Sequence, residues 1–190
     1  MDHTLLNHVR KFVELNEDET QILDGCLRFK KLKRKEYVLR IGEICRGNYF
    51  VAKGCLRKFY LNENGTEQTI QFAIENWWIT DFMSMEKEAP SEFFIQAVES
   101  SEVFFLSHES QEQLFAKVPK MERYFRIILQ KSYAALQQRN KYIFSLSKEK
   151  FYKQFSDGFP GFLQRVPQYM LASYLGMTPE YLSELRSKFP

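Results

Sequence analysis

The 190-residue sequence predicts an α+β chain: an N-terminal β-barrel or jelly roll, a long helix, and an all-α end closed as a helix-turn-helix. Three observations predict it. Between Arg40 and Leu106, short runs of strand formers are punctuated by glycines. From Pro119 to about Phe144 the apolar period becomes helical and stays so. From Val166 to Lys188 the residues fit two short helices around a tight turn.

Residues 2–15 read as a short amphipathic helix with Leu5, Leu6, Val9, Phe12 and Val13 on its apolar side, and Glu17 to Leu27 reads as a second. Phe29 to Leu39 mixes apolar and basic residues, and Lys30, Lys31, Lys33, Arg34 and Lys35 suit a solvated strand and turn surface. Gly42, Gly47, Gly54 and Gly65 are spaced as turns. Tyr49 to Val51 and Leu56 to Leu61 are strand-like, and Asn62-Glu63-Asn64-Gly65 is a strong hairpin connection. Ile70, Phe72 and Ile74 alternate with Thr69, Gln71 and Ala73, as a half-buried strand requires. Phe93 to Val98 and Val103 to Leu106 complete a set suited to a small barrel or sandwich.

His108 to Lys117 then reads as a short helix, and Pro119 opens a long one. The long helix carries two adjoining apolar stripes, one of Met121, Phe125, Ile128 and Ala135, the other of Leu129, Tyr133, Leu136 and Ile143. Two apolar sides need two partners, so one stripe is expected on the chain's own barrel and the other on a second copy of the helix. Met121, Phe125, Ile128, Leu129 and Leu136 are the candidate dimerisation residues. Lys148 to Phe155 continues helical until Asp157-Gly158-Phe159-Pro160-Gly161 breaks it.

In the last segment Pro167 suits a first helical turn, Leu171 and Leu175 share a face, and Gly176 can take the left-handed conformation that ends a helix. Thr178 is a good N-cap, Pro179 a good first residue, and Leu182 and Leu185 form the apolar stripe of the second helix. Ala172 lets the two helices approach closely. Such a unit can place its second helix in the DNA major groove. Its exposed side would carry Thr178, Pro179, Glu180, Ser183, Glu184 and Ser187 for base and phosphate contacts, with Arg165, Arg186 and Lys188 as phosphate cations. Glu184 repels phosphate, so it must read a base, pair with a cation, or weaken binding.

Composition narrows the classes. A net charge of +3 permits nucleic-acid binding without demanding it. No apolar run is long enough to cross a membrane and the N-terminus lacks a signal-peptide core, so a cytoplasmic protein is expected. Cys26, Cys45 and Cys55 match no zinc or iron–sulfur spacing and read as reduced thiols, so no metal site is expected. His3, His8 and His108 are scattered and read as surface residues. The strand region Arg40 to Leu106 holds no histidine, and no P-loop, dinucleotide fingerprint or HExxH motif occurs, which argues against an enzyme.

This order of elements resembles the Crp/Fnr family of bacterial transcription regulators along the whole chain. The residues that carry the resemblance are Gly42-Glu43, the run from Tyr49 to Arg57, and the C-terminal Val166-Pro167 with Ala172 through Ser183. It is similar to the compact branch of that family common in Bacteroidetes. The resemblance implies a cyclic-nucleotide-binding type of barrel, a homodimer through the long helix, and a winged helix-turn-helix. The sequence stops at Pro190, so little or no wing is expected. Members that bind cyclic AMP use a Gly-Glu pair opening a short helix, followed by an Arg-Ser or Arg-Thr pair. The corresponding stretch here, Trp77 to Val98, has no Gly and no Arg, and Thr80-Asp81 stands where Gly-Glu would be. Its one cation, Lys87, faces Asp81, Glu86, Glu88 and Glu92, an acidic setting for a phosphate. Cyclic AMP is therefore not the expected effector, no cofactor is assigned, and Trp77, Trp78, Asp81, Phe82 and Phe94 are candidates to line a pocket for a different one.

The segments expected are 1–117 for an effector-type barrel with flanking helices, 118–145 for the dimerisation helix and 146–190 for the DNA-binding domain. The expected function is a homodimeric regulator reading a near-palindromic DNA site. Expected partners are double-stranded DNA and a second copy, with RNA polymerase a further candidate. The competing expectation is a small-molecule-binding module whose DNA binding is weak or lost, and salt-dependent DNA binding separates the two.

Overall fold

A computed structural model describes residues 3–189. The chain forms two compact units, residues 1–58 with 72–130, and residues 59–71 with 131–190. The elements of the first are mostly those expected. Helix α1 (His3–Arg10) is shorter than the predicted 2–15; Asp2 lies outside the described residues, and Phe12 and Val13 pack on the core from a turn. Helix α2 (Glu17–Gly25) starts at a reciprocal capping box: Asn16 accepts from the Glu19 amide and Glu19 from the Asn16 amide, both at 2.8 Å.

Eight strands follow: β1 (Leu27–Leu32), β2 (Tyr37–Leu39), β3 (Gly47–Lys53), β4 (Leu56–Leu61), β5 (Glu67–Ala73), β6 (Trp78–Ile79), β7 (Phe94–Ala97) and β8 (Ser101–Ser107). They form two four-stranded sheets, ordered β1-β8-β3-β6 and β2-β7-β4-β5. The barrel thus begins earlier than Arg40, with Lys30 and Lys31 on edge strand β1, where charge suits a solvated edge, and Lys33, Arg34 and Lys35 in the turn after it. Residues 82–87, read as part of the β region, form helix α3 (Phe82–Lys87) because Asp81 caps it.

Strand β3 shows how two cores are built from one run. Tyr49 and Val51 point into the interior with Leu56, Ile79, Ile95, Val103 and Phe105. Phe50 and Ala52 point to the other face, where they meet Leu5, Val9, Leu114, Tyr124 and Phe125. Gly47 opens this strand rather than marking a turn. A Cβ there would lie 2.2 Å from the Leu106 carbonyl oxygen, so β8 passes too close for any side chain.

Helix α4 (His108–Lys117) leads to the 26-residue α5 (Lys120–Ser145). Its first turns carry Met121, Tyr124 and Phe125 into the outer core of the first unit. The long helix ends one residue past the expected Phe144, and Ser147 caps α6 (Lys148–Gly158), which starts at the expected Lys148. After α7 (Phe162–Arg165) come α8 (Gln168–Leu175) and α9 (Pro179–Lys188). The core of this second unit includes Phe151, Tyr152, Phe162, Met170, Leu171, Leu175, Leu182 and Leu185, all buried.

Candidate nucleic-acid interface

The pair α8–α9 closes as the residues dictate. Pro167 lies one position earlier than expected, at the N-cap of α8. Gly176 has φ +68°, a conformation costly for any residue with a Cβ. The amides of Gly176 and Met177 close onto the carbonyls of Ser173 and Ala172, ending α8 sharply. Thr178 caps α9 by accepting from the Tyr181 amide, and Pro179 occupies its first turn. Ala172 and Leu182 are fully buried between the helices.

Burying Leu182 and Leu185 leaves Thr178, Pro179, Glu180, Ser183, Glu184, Ser187 and Lys188 exposed. Pro179, Glu180 and Ser183 line one open groove with Gln168, whose side-chain amide donates to the Pro179 carbonyl at 2.6 Å. Gln168 thus joins this side from the first turn of α8, next to the exposed Tyr169 in sequence. Sequence reading missed Gln168 by looking only at α9; the signal was that the first turn of α8 must lie beside the start of α9 once the turn closes.

Arg186 and Lys188, two of the expected phosphate cations, have partners within the chain. Arg186 is half-buried and donates to the Leu163 carbonyl at 2.9 Å, tying α9 to α7. Lys188 pairs with Glu149 at 2.8 Å, and that bond, aided by Glu184, raises its pKa. Glu184 is not buried against a cation; it stands on the exposed side of α9.

The candidate effector residues do not converge. Trp78 faces away from the barrel interior: it packs between Phe50 and Phe125, and its indole donates to the Tyr124 hydroxyl at 2.9 Å. Trp77 and Phe82 are half exposed, and Phe94 stacks on Tyr37. Asp81 is buried, capping Ser84 and accepting from the Ser91 hydroxyl at 2.6 Å. The acidic reading of residues 77–98 also needs correction, because β4 brings two cations to the same region. Lys58 donates to the Thr80 carbonyl at 3.0 Å; burial lowers its pKa while Asp81 raises it. Arg57 is buried and forks onto Gln96 Oε1 at 2.7 and 3.1 Å.

Met121 and Phe125, expected at a dimer interface, are instead core residues of the first unit, and Ile128 packs against that core. Leu129 and Leu136 are exposed, as are Tyr133 and Ile143 on the same stripe. His8, expected at the surface, is buried and hydrogen-bonded to Tyr124. Cys45 and Cys55 are buried, Cys26 is half-buried, and all three are free thiols. Among the described residues, no group of three or more metal-ligating side chains comes together, and no helix is long and apolar enough to cross a membrane.

Residues 29–118 match the cyclic nucleotide-binding domain. The chain is 26% identical over 185 residues to an anaerobic regulatory protein of Pasteurella multocida, covering 90% of this chain and 66% of that one. It is 24% identical over 189 residues to the fumarate and nitrate reduction regulatory protein of Vibrio cholerae, covering 92% and 74%. It therefore spans about two thirds to three quarters of these relatives, which are named as regulators rather than enzymes. Its fold is shared with FixK2 of Bradyrhizobium japonicum, at TM-score 0.70 and 14% identity over 85% of this chain and 83% of that one. It is also shared with a transcriptional regulator of Eubacterium rectale, at TM-score 0.69 and 16% identity over 92% and 83%.

Proposed function

This chain belongs to the Crp/Fnr family of transcription regulators, and from that membership we propose that it is a homodimeric, sequence-specific DNA-binding regulator that does not respond to cyclic AMP. The observation that carries the reading is the capped α9, anchored by buried Leu182 and Leu185 and presenting Thr178, Pro179, Glu180, Ser183 and Ser187 outward. Two such helices, one from each subunit, would enter successive major grooves about 34–36 Å apart and read a near-palindrome. Ser183 and Ser187 can reach base edges or phosphates, and Glu184 can accept from a cytosine amine.

A homodimer is supported by the exposed stripe of α5. Leu129, Tyr133, Leu136 and Ile143 recur at alternating spacings of four and three once Asn140 is included, which is the seam of a two-stranded coiled coil. A polar Asn within such a seam favours one register and one oligomer. Against cyclic AMP stands Asp81, whose carboxylate already occupies the start of α3, where a phosphate would meet like charge. RNA polymerase is a further partner consistent with a regulator of this kind.

The second reading, a small-molecule-binding module with weakened DNA affinity, is favoured by exposed Glu180 and Glu184 and by the internal engagement of Arg186 and Lys188. Selection of bound genomic fragments by the purified protein at two salt concentrations decides between them. Enrichment of an inverted repeat with half-sites one helical turn apart, weakening steeply with salt, is the expected result. Absence of enrichment at both salts would reject the regulator reading in favour of the second.

A further inference from the structure

The second unit contains a cleft of about 220 Å³ that none of the DNA-facing residues lines. Arg139 and Ile143 of α5, with Leu146 just beyond its end, form one wall, Lys148 and Phe151 of α6 another, and Tyr174 near the end of α8 a third. No carboxylate lines it. The Arg139 guanidinium lies 4.4 Å from the Tyr174 ring centre and donates through Nη2 to the Tyr174 carbonyl at 2.7 Å. Its Nε–H is buried and, among the described residues, meets no acceptor. A buried charged donor left unmatched is costly, and proteins rarely keep one without use. The carboxylate next to Lys148 in sequence, Glu149, is already taken by Lys188.

We propose that this cleft binds a small organic carboxylate with an aromatic or apolar body. The carboxylate would pair with the guanidinium of Arg139, which lines the cleft, and lie near Lys148, a charge-assisted pairing that suits guanidinium geometry. Ile143, Leu146 and Phe151 would cover the body, which a bare inorganic anion does not possess. A cleft of this volume is smaller than the usual range for drug-sized ligands, so the occupant is on the scale of a single substituted ring. Its walls come from α5, α6 and α8, so occupancy would hold the first helix of the helix-turn-helix to α5 and α6. That regulatory consequence, unlike the binding itself, rests on the DNA-binding reading.

Benzoate is the probe, with acetate and inorganic phosphate as the anions lacking the body, titrated by calorimetry into the full-length protein without DNA. Saturable benzoate binding is expected, with both comparison anions weaker. Lys148→Gln, an exposed substitution that should leave the fold intact, and Arg139→Gln are each expected to weaken binding by about tenfold. Benzoate that never saturates, binds both variants undiminished, or binds no better than phosphate would overturn the site. In a separate arm, benzoate should change affinity for the selected DNA in the unsubstituted protein and not in Lys148→Gln. Benzoate binding with unaltered DNA affinity would overturn the coupling, while benzoate binding by a protein that selects no DNA would overturn the regulator reading and keep the site.

Discussion

The Tyr124 hydroxyl is the meeting point of three elements. It accepts from the Trp78 indole of β6 and lies 2.9 Å from His8 Nδ1 of α1, while its own ring rides on α5. An indole can only donate, so the hydroxyl accepts there, and the His8 tautomer sets which partner donates in the second bond. Tyr124→Phe leaves a half-buried indole N–H without its acceptor and is expected to cost about 1–3 kcal/mol by urea unfolding. Unchanged stability would mean that water replaces the hydroxyl at no loss. Burial also raises the pKa of Tyr124, Tyr49 and Tyr174 above the ordinary phenol value. Their folded forms stay protonated where unfolded ones ionise, so this stability is complete below about pH 10 and is lost as pH rises beyond it. Lys58, with its lowered pKa, opposes them between its folded value and 10.5. Near-ultraviolet absorbance titration should show these phenols ionising only as the protein unfolds; ionisation together with exposed tyrosines in a still-folded protein would contradict it. Neither this cluster nor the placing of Trp78 was legible in the sequence. Two adjacent tryptophans offer both faces of a strand, and only the register of β6 on β3 decides which face each takes.

At the scale of elements, periodicity was legible wherever one element met one partner. The 3.6-residue pattern located α5 and α9; the alternation around residue 70 located β5 but not its faces, since Thr69 and Ala73 are buried while Ile70 and Ile74 are only half-buried. It was less informative in β3, where six consecutive residues are buried because the sheet has a core on each face. The two stripes of α5 were visible, but not where the monomer's core would end: it claims Met121 and Phe125 and leaves Leu129 onward uncovered. Leu136→Glu should therefore yield a folded monomer by light scattering, with circular dichroism unchanged, because Leu136 contributes nothing to the chain's own core. A persistent dimer would move the interface elsewhere. Short α3 escaped notice since six residues show too little of a helical period, and its start depends on a buried Asp81 whose partner Ser91 follows ten positions later.

Considered as a whole molecule, the chain's two compact units are each built from stretches that are not continuous in sequence. The sequence boundaries 1–117, 118–145 and 146–190 follow runs of helix and strand, whereas the second compact unit includes residues 59–71, the end of β4, the turn and most of β5. The reason is a set of polar contacts that no local pattern displays. The Ser173 hydroxyl of α8 accepts from the Thr69 amide at 2.8 Å and donates to the Glu67 carbonyl at 2.9 Å, and the Gln68 side chain donates to the Ser173 carbonyl. These partners lie more than a hundred positions apart in the chain. During synthesis the hairpin emerges long before α8 exists, and must wait with its edge amides uncovered until the C-terminus arrives. The end of the chain that carries α9 is consequently not a portable cassette. Cut out as residues 131–190 and grafted onto another protein, it would leave behind the strand edge on which α8 is seated.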